Sequence, residues 1–244
     1  MNTTEFFRIK KKILEIDSTK YWGDDFDVRY YLISNLKKLR KKYVIDIGGG
    51  IGIISSELDK SNFRVNLDLS FGDLKTCNIK VDPNIQNICS SFTNLPFPKE
   101  AYDYVICSHL LEIAKQYDLE NNIIEIKDGS TKYPTVNKCI KEIHRILKIG
   151  GTFYLTTPNN AYYKSTKLSF DELNDVIFNY FPKTEISFYN TLPKFSKKNR
   201  KLNLANIIPK LKSKVINSDK IIDSLIKKNS KNNYSVAFFV KAKR

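Results

Sequence analysis

A chain of 244 residues, 41% of them hydrophobic, can bury a sizeable core and suits one α/β domain with additions. No run of about 18 or more apolar residues occurs, which argues against a spanning helix, and Lys10, Lys11 and Lys12 break up the N-terminal stretch where a secretory leader would be apolar. The net charge of +15 is lopsided: residues 194–244 hold 15 Lys and Arg against Asp219 and Asp223, which leaves +2 for the rest.

Taken in chain order, residues 4–16 and 26–41 read as helices, the second from Phe26, Tyr30, Ile33 and Leu36 at helical spacing. The run 43–47 is a short apolar strand, followed by glycines and a helix reaching Leu58. A second strand is predicted over 63–68, a weak third over 85–89 after a loop, and a buried fourth over 102–108. Residues 136–148 form an amphipathic helix that Gly150 and Gly151 are expected to close, and 151–158 is a fifth strand. Ser169 and Glu172 have the spacing of a capping box for a helix over 169–181. Two last strands are read over 184–190 and 234–242, separated by about 40 residues that carry most of the basic charge, too many for a closing loop. Strands alternating with helices argue for a mostly parallel sheet wrapped on both faces.

Within this order, "VIDIGGGIGIIS" at 44–55 places Gly48, Gly49, Gly50 and Gly52 directly after a strand that carries Asp46. A strand that runs through glycines into a helix presents bare backbone N–H groups at the carboxyl edge of a sheet, where α/β folds bind ligands. The spacing Gly48-x-Gly50-x-Gly52 differs from the G-x-G-x-x-G of dinucleotide binders. It resembles motif I of the class I S-adenosylmethionine-dependent methyltransferases, in particular the type 11-like, Rossmann-like group. Asp68, 22 positions after Asp46, stands where that family has the carboxylate that holds both ribose hydroxyls. "NLPFPKEAYDYVICSHLLE" (94–112) and "LKIGGTFYLTTPN" (147–159) are similar to later family motifs, and the resemblance spans about residues 26–190.

The resemblance implies a Rossmann-like sheet of seven strands, mostly parallel with the last antiparallel, with helices on both faces, and the length and charge of the segment before the last strand add a basic helical insertion. The chain's parts are a helical cap (1–42), a cofactor-binding core (43–190), the insertion (191–233) and the final strand (234–244). The implied cofactor is S-adenosyl-L-methionine, held by Asp46, Gly48, Gly49, Gly50, Gly52, Asp68, Leu69, Ser91, Phe92 and Ser108. Ser91 replaces an acidic residue that the family often uses on the adenine amino group. The common Leu-Glu-His is here Leu111-Glu112-Ile113, which removes a histidine. Arg29 or Tyr30 is a candidate for the methionine carboxylate of the cofactor.

His109, just after the fourth strand, is the candidate general base, with packing as its alternative role. His109, Asn159, Asn160 and Tyr162, with Tyr163 beside it, are candidates for the acceptor pocket; a turn after Pro158 or simple packing would explain the last four equally. His144, between Lys141 and Arg145, is expected at the surface. Cys77, Cys89, Cys107 and Cys139 lack metal-ligand spacing, so a reduced cytoplasmic chain without a zinc site is expected. The activity this implies is methyl transfer to a small-molecule or lipid-linked acceptor, with oxygen as the favoured atom. Transfer to tRNA or another RNA, and a non-catalytic cofactor-binding subunit, are the alternatives. The apolar stripes and lysines of 194–233 suit an anionic membrane surface, so a peripheral position on the inner face of a membrane is included, or else merely solvated lysines.

Overall fold

The computed structural model describes residues 26–123, 133–158, 167–189 and 237–244, together with 8, 9, 11, 12, 15 and 16. Seven strands form one sheet: β1 (Tyr43–Ile47), β2 (Phe63–Asp68), β3 (Gln86–Cys89), β4 (Tyr102–Ser108), β5 (Leu147–Pro158), β6 (Lys183–Tyr189) and β7 (Ala237–Lys243). Their spatial order is β3-β2-β1-β4-β5-β7-β6. β7 runs antiparallel to both β5 and β6, while the pairs among β1 to β5 are parallel. The expected mostly parallel sheet with an antiparallel last strand is thus present. The basic insertion and residues 234–236 lie outside the described residues.

Among the described residues, 8, 9, 11, 12, 15 and 16 are helical, and the bounded helices are α1 (Phe26–Leu36), α2 (Ile53–Ser56), α3 (Phe71–Thr76), α4 (Leu111–Glu120), α5 (Pro134–Ile146) and α6 (Phe170–Phe178), with a π-helical turn at Cys77–Val81 after α3. The period-2 geometry of the strands divides the core between the two faces of the sheet. Ile45, Ile47, Val105, Cys107, Phe153, Leu155, Phe238 and Val240 pack with α4, α5 and α6. The alternate positions Val44, Ile106, Tyr154 and Phe239 pack with α1 and α2, and Ile9 joins them. Helices on opposite faces follow directly from strands that are apolar at consecutive positions.

Several boundaries depart from the sequence reading. α1 stops at Leu36 instead of 41, because Lys41 has a positive φ of 52° and the Asn62 side-chain amide donates to the Leu39 carbonyl at 2.9 Å. α2 ends at Ser56, short of Leu58. Gly150 and Gly151 do not close a helix: α5 ends at Ile146, and Leu147 is already extended at φ −76° and ψ 132°. The glycines instead lie in an irregularity of the β4–β5 pairing, which jumps from Tyr102↔Leu147 to Tyr104↔Thr152. There Gly150 has φ +77°, and a Cβ on Gly151 would lie 2.8 Å from the Lys148 carbonyl oxygen. The capping box on α6 is present, with Ser169 Oγ accepting from the Glu172 N–H and the Glu172 carboxylate accepting from the Ser169 N–H.

Candidate active site

The strand order reverses between β1 and β4: one neighbour sequence leads from β1 to β2 and β3, the other from β4 to β5. Crevices at such a reversal, beyond the carboxyl ends of the strands, are where open α/β sheets take ligands. A cavity of about 540 Å³ lies there. Its walls come from the ends of β1 (Gly48, Gly49, Gly50), β2 (Leu67, Asp68, Leu69) and β4 (Ser108, His109, Leu110). Ile51, Ile54, Ser90, Phe92, Asp73, Thr76, Ile113, Arg29 and Ile16 complete it.

Each glycine of the turn has its own reason. Gly50, at φ +53°, faces open space, with nothing within 4 Å of where a Cβ would be, so its backbone is bare on the cavity side. Gly49 is hemmed in from behind, where a Cβ would meet Asn66 Oδ1 at 2.1 Å and Asp46 Oδ2 at 2.8 Å. Gly52 begins α2 at φ +73° and leaves room for Cys77 Sγ, 2.4 Å from a Cβ built there; it is a packing glycine and does not line the cavity. Asn66 braces the turn, its amide donating to the Gly50 carbonyl at 2.9 Å and to Asn87 Oδ1 at 3.1 Å.

Asp68 sits at the cavity rim with Oδ2 accepting from Gly50 N–H and Oδ1 from Ser70 N–H, both at 2.9 Å. Each oxygen retains acceptor capacity toward a vicinal diol, and the backbone bonds fix the orientation of the carboxylate. Asp46 lies behind the turn, fully buried, and neither of its oxygens has a hydrogen-bond partner among the described residues. Burial pushes its carboxyl up to about 7; Arg29 opposes the shift and Asp68 adds to it.

On the β4 side, His109 lines the cavity in a left-handed backbone conformation (φ 58°), an uncommon one for a non-glycine residue. Its N–H donates to the Thr156 carbonyl at 2.9 Å, while the neighbouring Ser108 Oγ and Thr156 Oγ1 are 2.8 Å apart. The His109 ring places Nδ1 3.1 Å from Oε1 of Glu112. Glu112 is buried, and its Oε2 accepts from Thr157 Oγ1 at 3.1 Å. Burial opposes its ionisation, but the hydrogen bond and charge of His109, a backbone N–H and Lys167 together outweigh it and hold the carboxyl below its ordinary range.

Of the residues singled out in the sequence, Gly48, Gly49, Gly50, Asp68, Leu69, Phe92, Ser108 and His109 meet at this cavity. Asp46, Gly52 and Ser91 stand behind its wall. Ser91 Oγ is engaged by Thr93, accepting from its N–H at 3.2 Å, and the neighbouring Ser90 reaches the cavity instead. Arg29 lines the cavity, whereas Tyr30 is buried in the core with α2. His144 is half-buried, less exposed than expected: its ring packs on Phe181 at 5.3 Å and Tyr180 at 6.0 Å. Asn159, Asn160, Tyr162 and Tyr163 lie outside the described residues. Asp73 and Thr76 escaped the sequence reading because 69–84 has no clear period. Glu112 escaped as a partner of His109 although their i, i+3 spacing across a helix start could have shown it.

Residues 45–155 match the methyltransferase domain family, a segment that contains the glycine turn, Asp68, His109 and Glu112. This segment is a class I methyltransferase domain. Its cofactor is S-adenosyl-L-methionine, and the bare turn beside the Asp68 carboxylate fits that group. Among relatives, the ubiquinone/menaquinone biosynthesis C-methyltransferase UbiE of Rickettsia massiliae (strain Mtu5) is 24% identical over 164 residues, covering 62% of this chain and 56% of its own. The chain therefore spans little more than half the length of that relative. In fold, the domain is similar to a SAM-dependent methyltransferase from Archaeoglobus fulgidus (TM-score 0.57, 16% identity, 92% of this chain and 96% of that one). It is also similar to the [4+2]-cyclase SpnF (TM-score 0.54, 14% identity, 93% of this chain and 84% of that one). The second likeness shows that this architecture hosts more than one chemistry, so the reaction has to be argued from the site.

Proposed function

We propose that the chain methylates the hydroxyl oxygen of a small-molecule or lipid-linked acceptor. The observation that carries this reading is the shared cavity: the glycine turn and Asp68 form one side, and a carboxylate-bound histidine stands on the other. When bound, S-adenosylmethionine would supply an electrophilic methyl group on a sulfur able to keep the electron pair of the broken bond.

The protein's own residues then have three tasks. The bare backbone of the 48–50 turn, whose own N–H groups donate to the Leu67 carbonyl and to Asp68 Oδ2, and the Asp68 carboxylate fix the cofactor's position, which is most of what an in-line transfer requires. Leu110, Ile113 and Phe92 give the cavity apolar wall, suited to an acceptor with a ring or chain and to exclusion of water. His109 takes the hydroxyl proton, and its resulting positive charge is balanced by Glu112.

Carbon is the second reading, favoured by the name of the UbiE relatives. The same base serves both, because deprotonating a phenolic hydroxyl makes its oxygen and the ring carbons beside it more nucleophilic. The test is incubation with tritiated-methyl S-adenosylmethionine and a panel of phenols, prenylated phenols and total tRNA, with the label located by mass spectrometry. Label on a phenolic oxygen supports the first reading, and label on ring carbon promotes the second. Transfer to tRNA alone, or to nothing, overturns both.

A further inference from the structure

We propose that Glu112 is a positioning residue: it holds the neutral His109 ring as the tautomer protonated on Nδ1, so that Nε2 is the nitrogen left to accept a proton. The inference rests on the reading of His109 as the base. Glu112 stands in the first turn of α4, where an acidic residue ordinarily serves the free N–H groups and the dipole of the helix from a solvated position. Here it is buried at 5% exposure, and its two side-chain oxygens go elsewhere. One meets His109 Nδ1 and the other the Thr157 hydroxyl, a fully buried group on β5.

An ionised carboxylate can only accept hydrogen bonds. The contact at 3.1 Å therefore requires the proton on Nδ1, and a neutral imidazole carries just one. Nε2, which is itself buried, is then the basic nitrogen. The Thr157 bond steadies the carboxylate from the sheet side, and the Thr156 carbonyl steadies the His109 backbone in its left-handed conformation. Two consecutive β5 residues thus fix both ends of the pair. When the acceptor hydroxyl loses its proton to Nε2, the imidazolium that forms already has a counter-charge on its other nitrogen, and no group has to move. Orientation of a base by a buried acid is a recurring device for keeping one tautomer in play. The charge of Lys167 favours the ionised acid as well.

The test uses nitrogen-15 spectra of the imidazoles above neutral pH, where long-range proton–nitrogen correlations distinguish the tautomers. His109 and His144 are the only histidines, so a His144→Gln sample leaves one ring to read. The expected result is a His109 ring protonated on Nδ1 in the otherwise natural chain, lost in Glu112→Ala in favour of the Nε2-protonated form. A ring protonated on Nε2 with Glu112 in place overturns the proposal whether or not the alanine variant folds, and so does an Nδ1 tautomer that survives Glu112→Ala. Methyl transfer by Glu112→Gln, with S-adenosylmethionine affinity measured alongside, adds the catalytic readout: kcat falls at least about tenfold while the cofactor Kd stays within about twofold. If no acceptor in the panel is methylated, the functional reading fails by itself, and the spectra still decide the role of Glu112.

Discussion

Asp46 gives the account a prediction that needs no acceptor. Its carboxyl is fully buried behind Gly49, has no hydrogen-bond partner among the described residues and is pushed from an ordinary 3.8 up to about 7, first by burial. The native state therefore binds the proton more firmly than the unfolded chain does. Between about pH 4 and pH 7 folding takes up a proton at this group, so its contribution to stability declines as pH rises and the full penalty is present above pH 7. A rise of about three pH units at 1.36 kcal/mol each corresponds to at most about 4 kcal/mol. Asp46→Asn keeps the shape and removes the titration, and Asn66 Oδ1, which crowds the same point behind Gly49, is an acceptor for the new amide. Urea unfolding of both proteins at pH 5, 6, 7 and 8 reads the difference. The stability of the asparagine variant relative to the natural chain is expected to improve by about 2–4 kcal/mol from pH 5 to pH 8. Parallel stability curves for the two proteins would refute the reasoning.

Two further outcomes are expected. His109→Gln lowers methyl transfer by about 10²-fold or more with little change in S-adenosylmethionine affinity; an undiminished rate with an identified acceptor would return His109 to a packing role. Replacing 194–233 with a short loop abolishes co-sedimentation with anionic vesicles, and the natural chain retains part of that association at high salt because apolar insertion is not screened. Binding to tRNA that collapses with salt, without vesicle association, would instead favour a polyanion.

The residues that were easy to read are those with one dominant physical demand. β1 and β4 are apolar at consecutive positions because the sheet is covered on both faces, β2 alternates apolar with polar residues, and the limits of all three fall at Tyr43–Ile47, Phe63–Asp68 and Tyr102–Ser108 as expected. Ser169 and Glu172 announce α6 because each satisfies a backbone N–H of the other. α4 gave no such signal, since its buried side includes Glu112, Lys115 and Asp118, which erase the apolar stripe. Lys115 is compatible with burial because it donates to Glu172 and to the Lys167 carbonyl, both at 2.8 Å, and Asp118 accepts from Thr135 N–H at the start of α5. Those partners are distant in sequence, so local periodicity could not supply them. The same holds for the cavity. Its glycine turn is contiguous and legible, whereas Asp73, Thr76 and the tie between Glu112 and Thr157 depend on how β5 and the helices come together.

The central claim is that the 48–50 turn and Asp68 hold S-adenosylmethionine, and calorimetric titration of that cofactor into the natural chain, Asp68→Asn and Asp68→Ala tests it most directly. Asp68 bridges Gly50 and Ser70 while facing the cavity, so the alanine variant loses both the brace and the acceptor for the ribose hydroxyls. Loss of charge-assisted bonds of about 2–3 kcal/mol predicts an affinity roughly 30- to 150-fold weaker. Asparagine, which keeps one acceptor oxygen without the charge, is predicted to fall between the two. Equal affinity in all three proteins, or no cofactor binding by the natural chain, would contradict the account.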